Sequence, residues 1–261
     1  MHSPPTRYLL LIVCEVMPSS RISNAATVHL FCTMPTLAGG MIITVAGTCS
    51  PIALLTCYSC VLFYTNHNIM TTIEAIQALQ TKPLDFLKNY SFTPYSAGGV
   101  AGVHTFYMVD PGGNQVRRPG SILGGLNTHL TQRFTARPNN VFGGTGFHAF
   151  HIPVQASNIA INAHFLPLSG SGIMLTTQLT GCSIVMVPGG GSFSVAHLQP
   201  TGETGAQLRA RLTQPGITIY GQTDYAGYRS LVVGVRIGGV WGFYAQNQDA
   251  NFNVISAKKI A

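Results

Sequence analysis

From about residue 100 to the C-terminus, short apolar segments rich in Val, Ile, Phe and Tyr alternate with turns of Gly, Pro and Asn. That is the pattern of many β-strands. It predicts strands at Val103 to Val109, Phe147 to Val154, Ile159 to Leu166, Gly172 to Gln178, Ser183 to Val187 and Phe193 to Leu198. Four more follow at Ile217 to Tyr220, Leu231 to Ile237, Val240 to Gln246 and Phe252 to Ser256. The pair flanking Gly238-Gly239 reads as a hairpin. Asp110-Pro-Gly-Gly-Asn114 closes the first strand with a strong turn signal. Asn127 to Gly146 is polar and Gly/Asn-rich, and reads as a long surface loop carrying solvated Arg133 and Arg137.

Helical spacing is confined to two places. Thr71 and Glu74 have the spacing of a capping box, which predicts a helix over Thr72 to Gln80, stopped by Lys82-Pro83. At Thr204 to Leu212, Leu208 and Leu212 share a face while Arg209 and Arg211 point elsewhere. Few helices among many strands predict an α+β fold, a β-sandwich of mixed or antiparallel sheets flanked by a few helices.

Composition divides the chain. No Asp, Glu, Lys or Arg occurs between Arg21 and Glu74, and five of the six cysteines precede residue 61. The domain reading is therefore 1–69 as a leader of uncertain status and 70–261 as the folded, chemistry-bearing unit. Three readings of the leader stay open. One is a non-core stretch upstream of a start at Met70, another a targeting or membrane segment, and the third an integral part of the fold. Tyr8 to Val13 resembles a short signal-peptide core, but Glu15 follows at once. Leu37 to Tyr64 is long enough to span a bilayer, yet contains Pro51, Gly39-Gly40 and many Thr, Ser and Cys. Cys57-Tyr-Ser-Cys60 has CxxC spacing without a second ligand pair, so it reads as inert.

Charge narrows the function classes. Charged residues are only 8% of the chain against 46% hydrophobic ones, so the folded part has material for a core and is not intrinsically disordered. The net charge is +7, but the basic residues are scattered, and no run of them would grip nucleic acid. Six acidic residues after Met70 are too dispersed for a paired-carboxylate site or a calcium cage. His148 and His151 stand at odd spacing on one strand and point to opposite sides, which excludes a shared metal. Gly189-Gly190-Gly191 lacks the lysine of a phosphate loop and reads as a turn. No cofactor or metal is expected. His164, Asn162, Asp224 and Tyr225 acquire no assigned role.

One constellation carries chemistry. Cys182 is the only cysteine after residue 60, and His197 follows fifteen positions later across the glycine turn. With the turn centred near Gly189-Gly190, the two residues face each other on neighbouring strands, with Cα atoms about 5 Å apart. An imidazole beside a thiol can take its proton to give a thiolate–imidazolium pair, and the thiolate then attacks a carbonyl. The N–H groups of Gly181, Cys182 and Ser183 are candidates for holding the oxyanion. His197 would protonate the leaving group and activate water. The bland reading is that Cys182 is a buried small hydrophobe of a non-catalytic sandwich used for binding.

The run Thr176-Thr-Gln-Leu-Thr-Gly-Cys182, followed by strand, glycine turn, strand and Ala196-His197, resembles the signature of the cytotoxic necrotizing factor family. The related Burkholderia lethal factor shares it. Thr180 stands where that family has serine, which keeps the hydroxyl. The resemblance covers roughly Ile173 to Leu198. It implies a secreted or injected bacterial toxin that deamidates a glutamine of a host protein in the host cytosol. Cys182 would be the nucleophile and His197 the acid/base. Thr176 would position the histidine, as a threonine at that place does in the lethal-factor branch; in the necrotizing-factor branch a backbone carbonyl from an earlier strand does that job instead. The partner it implies is a host protein with an exposed glutamine, GTPase-like or translation-factor-like. Loops at Gly112 to Gly125, Asn139 to Gly146 and Gln222 to Arg229 would select it. Transglutamination through the same thioester, and a cysteine peptidase or small-molecule amidase on the same dyad, are the alternatives.

Overall fold

The computed structural model describes residues 27–32, 43–48, 69–112, 116–119, 128–140 and 142–261. The chain divides into two compact units, Met1–Asn68 and Ile69–Ala261. In the first, β1 (Thr27–Cys32) and β2 (Ile43–Thr48) pair antiparallel, with Thr27 opposite Thr48 and Cys32 opposite Ile43. β2 falls within the apolar stretch from Leu37 to Tyr64. The rest of that stretch, the segment Tyr8 to Glu15 and the pair Cys57 and Cys60 lie outside the described residues. No helix among the described residues is long and apolar enough to cross a membrane.

The second unit is an α+β sandwich. Its large mixed sheet contains, in spatial order, β17 (Val254–Lys259), β16 (Val240–Gln248), β15 (Arg229–Ile237), β11 (Ile173–Thr176), β8 (Thr145–Ile152), β4 (Gly102–Val109), β7 (Arg133–Arg137) and β3 (Ser91–Pro94). The smaller sheet runs β10 (His164–Phe165), β13 (Ser192–Gln199), β12 (Ser183–Gly189) and β14 (Thr218–Tyr220), with β9 (Val154–Ala156) also on β13. A short ribbon of β5 (Val116–Pro119) and β6 (Thr128–Thr131) completes the strands.

Two-residue periodicity sorts the side chains into layers. Ile173, Leu175, Leu231, Val233 and Val235 face α1 (Thr72–Thr81) and α2 (Pro83–Asn89). Their alternates Met174 and Val232 face the smaller sheet, meeting Ile184, Met186 and Val195. On the far side of that sheet, Val185, Ala196 and Leu198 pack under α3 (Gly205–Leu212). The order is therefore helix, large sheet, small sheet, helix.

The large sheet curls until its ends nearly meet. Gln246 on β16 accepts from Phe92 N–H and donates to the carbonyls of Leu87 and Tyr90, while Gln248 donates to Phe92 O and Ser91 Oγ. Two amide side chains thus bridge the gap between β3 and β16, where no ladder forms. Both are fully buried and satisfied, which is the condition for a polar group inside a core.

Several expectations change. Both capping boxes are present, at Thr71–Glu74 and Thr204–Gln207. Pro83 does stop α1, but it also starts α2, because the first turn of a helix has no use for the missing N–H. The stretch 127–146 is not one surface loop: β7 lies inside it, with Phe134 and Ala136 fully buried. Arg133 is not solvated either, since its guanidinium carbon lies 3.4 Å from the Phe252 ring centroid. Between Ile159 and Leu166 only His164–Phe165 pairs.

Replacing Gln246 with alanine orphans Phe92 N–H and two carbonyls, and should cost about 3 kcal/mol by denaturant titration, whereas Val240→Ala on the exposed hairpin should stay within about 0.5 kcal/mol. Equal losses would show that the amide staple contributes nothing.

Candidate active site

The hairpin carrying the two expected residues is closed by Gly190-Gly191, with φ of 57° and 77°. A two-residue type I′ turn needs positive φ at both central positions, which only these two glycines supply together. Gly189 therefore pairs with Ser192, and the register places Ile184, not Cys182, opposite His197. The turn centre lies one residue further along than the spacing alone suggests. Cys182 sits just before β12, diagonal to His197, at roughly 7 Å between Cα atoms rather than 5 Å. Parity is preserved. Cys182, Ile184 and Met186 alternate with Val185, and Val195 and His197 with Ala196, so both reactive side chains share the face toward the large sheet.

His197 is completely buried. Its Nδ1 lies 2.6 Å from Thr176 Oγ1, and that hydroxyl also donates to Ile152 O at 2.8 Å. A threonine hydroxyl has one proton; having given it to Ile152, the oxygen can only accept from the ring. Nδ1 therefore carries the hydrogen, and Nε2 carries the lone pair. Topology explains why the three meet. β8 ends at Ile152, Pro153 lets the chain leave the large sheet, and Val154 starts β9 directly beside His197. Thr176 lies beside Ile152 at the end of β11, and so pins one sheet to the other.

Nε2 has no hydrogen-bond partner among the described residues. An orphaned acceptor in a core costs about 1–3 kcal/mol, so its retention calls for an explanation. The acceptor lies on the same inner face as the unit's free thiol.

Cys182 is 9% exposed. Gly181 before it has φ of +132°, a conformation that a side chain would strain. Tyr225, which sequence reasoning left without a role, grips this corner: its hydroxyl accepts from Gly181 N–H at 3.0 Å and donates to Cys182 O at 2.7 Å. Gly181 N–H is thus already used. Ser183 is committed to the ladder opposite Leu198, and its buried hydroxyl has no partner. Of the three expected oxyanion donors, Cys182 N–H is the one with no partner among the described residues. Tyr225 is itself held by the loop that bears it, where Asp224 accepts from Gly221 N–H at 2.9 Å and pairs with Arg209 on α3. Only tertiary packing reveals the link between Tyr225 and Gly181, 44 positions apart.

Burial governs the electrostatics. It lowers the imidazole of His197 to about 3, with the nearby His151 as a smaller cause in the same direction. It raises the thiol of Cys182, partly offset by a backbone hydrogen bond at Thr180. Both shifts favour neutral groups, so the resting pair is thiol and imidazole, not the expected thiolate–imidazolium ion pair. Such an arrangement suits a general base that takes the proton as sulfur attacks.

The other expected sites separate. His151 is a satisfied core residue, with Nε2 accepting from Ala97 N–H and Nδ1 facing Val100 O, while His148 is exposed beside Thr105. No cluster of metal-binding side chains occurs among the described residues. A cleft of about 350 Å³ opens beside Gly181, lined by Thr180, Gln222, Tyr225, Tyr228 and Arg229. Residues of the loop from Gln222 to Arg229 thus border the corner that precedes Cys182. Of the loop Gly112 to Gly125, residues 113–115 and 120–125 lie outside the described residues. Comparison with protein-family models and with curated proteins yields no match for this chain.

Two measurements check this electrostatic picture. A histidine buried neutral adds stability that is complete above pH 6.5 and is lost as the pH falls toward 3, because the unfolded chain takes up the proton first. His197→Gln should therefore shrink the stability difference between pH 7 and pH 4 by about 3 kcal/mol; an unchanged difference would place a solvated imidazole at position 197. In the second, iodoacetamide should label Cys182 at a rate still climbing at pH 9, the ordinary thiol value. A plateau of fast labelling below neutrality would reveal a preformed ion pair.

Proposed function

We propose that this protein is a cysteine amidohydrolase that converts a glutamine side chain of another protein to glutamate. A single observation carries the reading. A fully buried imidazole is fixed by Thr176 with its lone pair at Nε2, and that acceptor, without a partner among the described residues, shares a face with the free thiol of Cys182. The resemblance of Thr176 to Cys182, and of the following His197, to the necrotizing-factor signature supports the reaction type.

In this reading the Cys182 thiol passes its proton to His197 Nε2 as sulfur bonds to the carboxamide carbon. The oxyanion is held by Cys182 N–H, joined by Gly181 N–H when Tyr225 releases it. The imidazolium protonates the amine as the C–N bond breaks, and ammonia leaves a thioester. Water, deprotonated by Nε2, then restores the thiol and leaves glutamate. Thr176 holds the ring in the competent tautomer throughout. A primary amine in place of water would give transglutamination. The source is a bacterial toxin delivered into a host cell, and its partner a host protein with an exposed glutamine, of the GTPase or translation-factor kind.

The rival is a non-catalytic binding sandwich, and the burial of the Cys182 sulfur favours it. Incubating host lysate with wild type and with Cys182→Ser, followed by mass spectrometry, decides between them. New glutamine-to-glutamate sites should appear with wild type alone; identical peptide maps would reject deamidation, and cleaved peptide bonds would indicate a peptidase. On a responsive substrate, Thr176→Val should lower kcat about 100-fold while Thr176→Ser keeps most of it. Equal activities of the two variants would remove Thr176 from the mechanism.

A further inference from the structure

The cleft beside Gly181 has one basic side chain in its lining. Arg229 lines it, half-buried, and follows the cleft's edge where Ser230 and Leu179 exchange backbone hydrogen bonds at 2.6 and 3.0 Å. Leu179 is three residues from Cys182. Arg229 is not alone: its guanidinium carbon lies 5.4 Å from the Phe252 ring centroid, and that of Arg133 lies 3.4 Å from the same centroid. Arg137 adds a third like charge acting on Arg133.

No carboxylate among the described residues makes a direct ion pair with these arginines. Among the described residues the ion pairs are Arg209–Asp224 and Arg211–Glu203, and neither involves this cluster. Asp249, the acid near Arg229, feels that arginine's charge but makes no direct ion pair with it, its oxygens accepting from Asn251 N–H, Asn253 N–H and the Asn253 side chain. The Nε atoms of Arg133 and Arg137 are buried without a partner. The ring both guanidiniums approach belongs to Phe252, whose φ of 64° is the one positive value at a non-glycine among the described residues. An aromatic residue in that conformation is strained, and such strain collects at binding sites. Like charges gathered around a strained residue, with Arg229 among them lining an open cleft, raise the local potential for an anion, which Asp249 offsets in part.

We infer that Arg229, with Arg133 near the same Phe252 ring, recognises a carboxylate side chain on the polypeptide that carries the target glutamine, and so sets substrate preference for acidic sequence beside it. The inference rests on the amidohydrolase reading, because it places the glutamine at Cys182 and the acidic residue in the cleft. A substrate in extended form advances about 3.3 Å per residue, which puts the carboxylate within about three positions of the glutamine. Arg229 is then a specificity residue and takes no part in the bond chemistry. Its planar fork suits a carboxylate in two-point contact.

The test uses the full chain carrying Cys182→Ser, and peptides with a central glutamine, an uncharged fluorescent label and either Glu or Lys at the flanking positions. Anisotropy should show the Glu peptide binding at least tenfold tighter than the Lys peptide. Arg229→Gln should abolish that preference and Arg229→Lys keep part of it, while Lys88→Gln, the same charge change on α2, should leave it intact. Equal affinities for the two peptides, or an equal loss with Lys88→Gln, would overturn the inference. Ammonia release by wild type separates it from the reading beneath: a Glu peptide that binds through Arg229 without releasing ammonia sinks deamidation alone. Ammonia released equally from both peptides sinks the assignment of Arg229 alone.

Discussion

The bond between Thr176 Oγ1 and His197 Nδ1 is the contact on which the site depends. It joins the end of a strand in the large sheet to the middle of a strand in the small one, and it is the reason a fully buried imidazole has a defined tautomer. Remove the hydroxyl and the ring loses both its orientation and its only fixed partner. The carbonyl of Ile152 takes part, because by accepting the threonine proton it makes the threonine oxygen an acceptor. A proline crossover from one sheet to the other supplies that carbonyl. Fold and site therefore meet in three consecutive residues, Ile152 to Val154, and one threonine.

Burial then decides how the pair works. A thiol and an imidazole withdrawn from water are both held neutral, so in the proposed mechanism charge separation waits for the reaction. This arrangement leaves an acceptor unsatisfied in the core, and in the proposed mechanism that acceptor takes the thiol proton. Tyr225 adds a second constraint by occupying Gly181 N–H and Cys182 O together, fixing the backbone turn that presents the sulfur.

Much of this was legible in the sequence, and the failures have physical causes. Strand alternation from residue 100 onward is visible because each face packs against a different layer, so the period of two is kept. The Cys182 and His197 spacing across a glycine turn, with Thr176 six residues upstream, brings all three to one interface. The register was misplaced because three consecutive glycines allow two turn centres, and only φ at Gly190 and Gly191 chooses between them. β7 was hidden because Arg133 and Arg137 flank it, and their aromatic partners Phe252, Tyr95 and Phe142 are distant in sequence or in another element. Gln246 and Gln248 read as ordinary polar positions; only sheet curvature makes them a staple. Tyr225 likewise gains its role from a loop that α3 and Asp224 hold in place.

The most direct test of the account is the tautomer of His197, read by nitrogen NMR of the imidazole in the intact protein. The account predicts a neutral ring with the proton on Nδ1, a bare Nε2, and no titration until the pH falls well below 5. A proton found on Nε2, or a ring that titrates near 6.5, would contradict it.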